Sequence, residues 1–201
     1  MRRYLLPSSA FWYAPGEGLA DESTPFAFDG TPAVAAGTRR YAEMEAAASD
    51  TPGIEFVSLR HGFFYGAGTW FHGDGDMGNQ VRRQRVPVIG AGQGVWSWVH
   101  IEDAATAAAL ECAPGAYNIV DVDPTPQRVW LPAFARAIGA PAPPRITEQE
   151  TLAAFGSDTV YYATQLRGAP NAKAKRALQF QLRRLEWLDR NLPIPDPSRG
   201  E

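Results

Sequence analysis

The chain is short of the features that usually announce a function. Its single cysteine is Cys112, which excludes a disulfide framework and a cysteine-built metal site and makes a reducing cytoplasm the expected setting. No apolar run approaches the ~18 residues that a membrane-spanning helix needs. The opening MRRYLLPSSAFWY carries two arginines, but its apolar stretch is broken by Pro7, so it reads as a strand and not as a signal peptide. Charge of either sign is modest. Charged residues make up 20 % of the chain and the net charge is −3, which leaves no electrostatic pull toward nucleic acid or an anionic membrane.

What is present is an ordinary soluble composition. With 201 residues and 45 % hydrophobic content, the chain can bury a real core. Its 17 prolines and 19 glycines gather in connections, which predicts many short elements joined by loops. There is no internal repeat.

The other elements are arranged around the stretch Phe56 to Gly68, FVSLRHGFFYGAG. It starts as an apolar strand, turns polar at Arg60 and His61, and breaks into a glycine-rich loop with Phe63, Phe64 and Tyr65. A buried strand ending in such a loop delivers side chains to the carboxyl edge of a sheet, where open α/β folds bind ligands. Before it, Tyr4 to Leu6 has strand character. A helix is expected from Pro32 to Ser49, with Thr31 as its cap and Pro32 in its first turn. Gly37 lies inside that helix and costs about 1 kcal/mol relative to Ala, which raises the question of what approaches it. Thr51-Pro52-Gly53 ends the helix and Ile54 to Leu59 starts the strand, which is half of a βαβ unit.

Further along, a short helix from Asp76 is expected to carry Arg82, Arg83 and Arg85 outward. VWSWVH reads as one alternating strand, Ile101 to Cys112 as a helix, AYNIV as a strand, and Pro126 to Gly139 as an amphipathic helix stopped by glycine. Two or three short helices are expected to close the chain, one near Asn171 to Leu178 and one at Leu182 to Leu192.

Several motifs carry two readings. Gly90-Ala91-Gly92-Gln93-Gly94 is followed by a strand and not by a helix N-terminus, so a turn is favoured over a phosphate loop. His72, Asp74 and Asp76 lack a closing ligand, so no metal is expected there. The arginines at 82, 83 and 85 suit a phosphate or a solvated helix face equally. His100 and Asp103 suit a proton carrier or, more ordinarily, a helix cap. Ser8 and Ser9 end the first strand on the same sheet edge as His61.

These pieces together resemble the later half of an extended short-chain dehydrogenase/reductase, the NAD-dependent epimerase/dehydratase family. The matching segments are PSSAFWY (similar to SS-x-x-VYG), RRYAEMEAA, LRHGFFYGAG (similar to LRP-x-x-x-YGPG), GAGQGVWSWVHIEDAA (similar to G-x-G-x-x-x-x-FVHVDDVA) and GAYNIVD (similar to G-x-x-YNI). RGAPNAKAKRAL is similar to the carboxyl-terminal segment of one bacterial branch.

The resemblance implies an α/β fold. Residues 1–123 would be the later part of a Rossmann-like NAD(P)-binding domain, a partial parallel sheet with flanking helices, with 70–87 contributing to a second lobe. Residues 124–192 would be that small, mainly helical substrate-binding lobe, and 193–201 a flexible tail. The implied cofactor is NAD or NADP. Ser8, Ser9, Arg60, His61 and Gly62 would face it. Ser9, and His61 as a stand-in acid or base, would be the catalytic pair. Tyr13, Tyr65, Arg82, Trp96 and His100 would lie on the substrate side.

Three departures qualify the implied activity. The family's glycine-rich turn after strand one, and the acidic residue after strand two, have no counterpart in this sequence. Its proton-transfer pair, Tyr-x-x-x-Lys, falls on Gly37 and Tyr41 when aligned on Glu45, or on Ala35 and Arg39 when shifted by two. His61 replaces the Pro of LRP, and Trp96 stands where many nucleotide-sugar enzymes have an arginine. The expected protein is thus an epimerase/dehydratase-like oxidoreductase lacking part of its machinery, with a homodimer as one assembly. The resemblance implies an unidentified small-molecule substrate; the competing expectation is a non-catalytic module that binds a metabolite or a partner protein, or a gene remnant.

Overall fold

The computed structural model describes residues 2–179 and 182–188. The chain opens with β1 (Arg2–Ser9), crosses through α1 (Pro32–Ser49) and returns as β2 (Ile54–His61). β1 and β2 run parallel, with Ser8 opposite Arg60 and Ser9 opposite His61. Pro7 lies within β1, which pairs only with β2 among the described residues, and a proline in such a strand need not cost a ladder bond.

Next come β3 (Phe63–Tyr65), α2 (Asp76–Arg82), β4 (Val88–Ile89), β5 (Val95–Trp96), β6 (Trp98–His100) and α3 (Ile101–Ala109). β7 (Gly115–Ile119) then pairs parallel with β2, which gives the sheet order β1-β2-β7. The remaining elements are β8 (Thr125–Pro126), α4 (Gln127–Ala137), β9 (Arg145–Ile146), α5 (Glu148–Phe155), α6 (Ser157–Thr164) and α7 (Ala172–Leu178).

β2 is buried from Val57 to His61, as a parallel strand covered on both faces should be. Its side chains alternate between those faces. Val57 and Leu59 pack with Ala104 and Ala107 of α3 and Ala174 and Leu178 of α7. Ser58 and Arg60 turn to the other face and meet Glu45 of α1. A second packing centre is aromatic. Phe71, Trp96, Trp98, Trp130 and Phe134 meet there, with α2, α4 and α6 contributing Val81, Leu131 and Tyr161.

The structure departs from the sequence reading at four places. VWSWVH is two strands, not one: β5 pairs antiparallel with β8, and β6 pairs parallel with β3. Trp96 through His100 are all buried, so no exposed face existed to give true alternation. Second, α5 and α6 occupy a stretch that the sequence reading left unassigned. α5 begins with a capping box in which Thr147 and Glu150 bond reciprocally, and Gly156 at φ 84° divides it from α6.

Third, residues 182–188 are not helical, and 189–192 lie outside the described residues, as does the expected tail. Side chains engage that segment's backbone instead of helix bonds. Asp103 accepts from Arg183 N–H, Asp123 accepts from Leu185 N–H, and the Tyr65 hydroxyl donates to Arg184 C=O. Fourth, Thr31 is the N-cap residue of α1, but its side chain does not cap the helix. Asp158 of α6 does so, accepting from both Thr31 Oγ1 and Ala33 N–H.

Candidate functional site

β1 and β2 end side by side, and their last residues open into a cavity of about 430 Å³. Ser8 and Ser9 reach it from β1; His61 and then Gly62 reach it from β2. The glycine is required at that turn. A Cβ there would lie 2.5 Å from Ser97 C=O, because β3 passes close beside β6 and Phe63 N–H donates to the same oxygen. The position follows the general rule that ligands of open parallel sheets sit beyond the strands' carboxyl ends, and the volume falls within the ~300–1,000 Å³ of ordinary ligand pockets.

The serines differ in what they can offer. Ser8 donates its proton to Glu45 Oε1 at 2.6 Å. Ser9 Oγ accepts from Phe11 N–H at 3.3 Å, which leaves its own proton to donate into the cavity. His61 is 7 % exposed, and its Nδ1 has no hydrogen-bond partner among the described residues. Burial pushes its pKa down to about 4, so the imidazole is neutral at physiological pH. A neutral ring has one N–H to donate and one nitrogen to accept with; it does not store an extra proton at pH 7.

Arg60 precedes His61 but points into a different place. Its guanidinium pairs with Glu45 at 2.6 Å, donates to the Tyr13 hydroxyl and to Glu22 C=O, and lies over the Phe26 ring. Burial opposes its charge, but the contacts with Glu45 and Tyr13 win and raise its pKa. Tyr13 donates to Asn118 Oδ1 at 2.6 Å, and burial pushes its hydroxyl up to about 12. These two side chains join α1, β2 and β7; neither is among the cavity's lining residues.

The other residues assigned to the substrate side are dispersed. Tyr65 lines a separate cavity of about 160 Å³. Trp96 lines another of about 270 Å³ and donates to Tyr162 C=O. His100 is the N-cap of α3, where its Nδ1 accepts from Glu102 N–H. Arg82 Nη1 donates to Gly73 C=O at 2.6 Å. The structure therefore brings together Ser8, Ser9, His61 and Gly62, and not the rest.

It also adds residues that the sequence reading did not assign to the site. Phe11, Tyr41, Phe63, Phe64, Trp70 and Phe71 line the same cavity. The aromatic run at 63–65 was visible in the sequence; the approach of Phe11, Tyr41 and Trp70 was not. Gly37, the position aligned with the family's Tyr, is covered by Trp12. A Cβ at Gly37 would lie 2.4 Å from Trp12 Cη2, and the indole is held there by its bond to the Tyr162 hydroxyl. Tyr41, at the aligned Lys position, meets Trp12 edge-on and faces the cavity.

No family model matches the chain. It is 36 % identical over 195 residues to a 3-diazoavenalumate denitrifying reductase of a Streptomyces species, a match covering 94 % of this chain and 63 % of that protein. A human epimerase family protein solved with NADPH superposes with a TM-score of 0.66 at 22 % identity, covering 90 % of this chain and 61 % of the other. A dTDP-glucose 4,6-dehydratase of Streptomyces venezuelae, solved with NAD, gives 0.63 at 20 % identity, covering 92 % and 56 %. The chain thus spans less than two thirds of the length of these proteins. In fold it is similar to NAD-dependent epimerase/dehydratase proteins of the short-chain dehydrogenase/reductase type, of which it matches a part, and in sequence it is similar to a reductase.

Proposed function

We propose that this chain is the substrate-side part of an NAD(P)-dependent reductase. The observation that carries the reading is the meeting of Ser9, His61 and Gly62 in one cavity at the carboxyl ends of two parallel strands. These residues fit the nicotinamide end of the cofactor: a hydroxyl proton to donate, a neutral imidazole and the backbone of Gly62 in the lining. No described strand leads through a glycine turn into a helix N-terminus here, so the pyrophosphate and adenosine have no counterpart cradle among the described residues. Bound in this way, the nicotinamide would supply a hydride. Ser9 would orient a carbonyl or carboxamide oxygen, and His61 would hold one further polar atom of the ligand. The Streptomyces relative is a reductase, which supports reduction over epimerisation. The free thiol of Cys112 suits a cytoplasmic setting, and a homodimer is one way of completing the nucleotide site.

The test is a calorimetric titration of the chain with NADH and NADPH beside a thermal melt. Saturable binding of either with a raised melting temperature supports the reading. A cooperative melt with no binding of either removes it.

A second reading, a non-catalytic binding module, is favoured by one observation. The aligned Tyr position is Gly37, and Trp12 fills the space over it. A cooperatively folded chain that takes up a small molecule without any affinity for NADH or NADPH is the result that reading requires.

A further inference from the structure

We propose that the cavity at the ends of β1 and β2 takes a flat, uncharged aromatic or conjugated group, and not a nucleotide sugar. The proposal rests on the reductase reading only for the cavity's purpose; the ligand class follows from the cavity itself. Of the twelve described residues that line it, none carries a formal charge at neutral pH and six are Phe, Tyr or Trp. A ligand bearing phosphates needs guanidinium, ammonium or clustered N–H donors. Arg60, next to the lining residue His61, is committed to Glu45, and neither Arg39 nor Arg40, which precede Tyr41 in α1, is among the lining residues.

The aromatic wall is held rigid by its own stacking, with both faces of Phe63 covered by Phe11 and Trp96. Phe11 lies on Phe63 with centroids 4.3 Å apart and planes 18° apart, and Phe63 lies on Trp96 at 4.2 Å and 27°. Phe11 and Phe63 both line the cavity, so a flat ligand meets rings already fixed in place. Trp70 stands at the rim 59 % exposed. It is nonetheless held in position, because its Nε1 donates to Asp76 Oδ2 at 2.6 Å. Phe64, 39 % exposed, lies beside it on the lining and packs against the His61 ring. An exposed indole oriented by its polar end presents a face to whatever enters. His61, buried and with no partner for its Nδ1 among the described residues, supplies a polar contact without bringing charge.

The experiment is fluorescence and saturation-transfer titration of the chain, with and without NADPH. The probes are 2-naphthaldehyde, its saturated decalin counterpart and UDP-glucose. Naphthaldehyde is expected to bind at least tenfold more tightly than the decalin. Trp70→Leu, an exposed position, is expected to weaken it about tenfold while leaving the melting temperature in place. Equal binding of the flat and saturated probes, no binding of naphthaldehyde, selective binding of UDP-glucose, or no effect of Trp70→Leu overturns the proposal. Naphthaldehyde binding without NADPH binding sinks the reductase reading and leaves the ligand class standing. NADPH binding without naphthaldehyde binding does the reverse.

Discussion

Glu45 sets the position of α1 on the sheet. Its Oε1 accepts from Ser8, Ser58 and Arg60 Nε, and its Oε2 accepts from Arg60 Nη2. Burial alone would raise its pKa, but these hydrogen bonds and the guanidinium pull it below the ordinary 4.5. Glu45→Ala strands a buried guanidinium, and breaking such a pair costs about 3–5 kcal/mol; chemical denaturation should show a loss of that order. Gly37 is a second single-residue decision. Gly37→Ala improves helix propensity, yet its Cβ lands within 2.4 Å of Trp12, and overpacking of this kind costs about 1–3 kcal/mol. The double variant Gly37→Ala with Trp12→Leu should recover part of that loss. A purely additive double-mutant cycle would show that the indole is not what excludes a side chain at 37.

At the scale of elements, α1 is capped by its neighbour and not by itself. Asp158 of α6 bonds to Thr31 and Ala33, where a carboxylate also favours the helix dipole. Asp158→Ala should cost about 1 kcal/mol, the usual worth of a lost N-cap, and should speed amide exchange in the first turn of α1. Thr31→Val should cost less, since its hydroxyl bonds only to Asp158. If Thr31→Val proves the more damaging of the two, the cap has been assigned to the wrong residue. The 182–188 segment is likewise tied by side chains of other elements, Asp103 of α3 and Tyr65 of β3. Its apolar residues Leu182 and Leu185 join the two packing centres.

The whole molecule carries two buried groups whose titrations oppose each other. His61 titrates at an ordinary 6.5 when unfolded and about 4 when folded. The unfolded chain therefore binds the extra proton, and stability falls as pH drops from 6.5 toward 4, by roughly 3 kcal/mol. Asp121 has an ordinary value of 3.8, raised to about 8 by burial and then by Asp103; its Oδ2 has no hydrogen-bond partner among the described residues. There the folded chain binds the extra proton, so stability is greatest at low pH and is lost as pH rises through about 8. Between 8 and 6.5 Asp121 acts alone; between 6.5 and 4.5 the two offset. In Asp121→Asn, urea midpoints should be flat from pH 8 to 6.5 and should fall below 6.5. In His61→Gln they should rise steadily from pH 8 to 4.5. A wild-type profile copied by both variants would remove this account. Loss of the Glu45–Arg60 pair belongs below about 4.5, outside this window.

Local patterns in the sequence were enough for the parallel unit of β1, α1 and β2. An apolar run ending in a glycine loop, a proline at the helix start and a Thr-Pro-Gly break each act within a few residues, so Ser9, His61 and Gly62 could be placed on one sheet edge without coordinates. The sequence alone also determined the absence of disulfides and of any long apolar run. The tertiary structure decided what lies at greater separation: Trp12 over Gly37 and bonded to Tyr162, Tyr13 on Asn118, Asp158 on α1, and Arg60 turned to Glu45 away from the cavity. A side chain's partner across ~100 residues is chosen by packing and by the need to satisfy buried polar groups. Neither leaves a periodic trace in the chain. The same holds for the aromatic wall, whose rings come from β1's exit loop, α1, β3 and the loop beyond it and meet only when the sheet and its covering helices have closed.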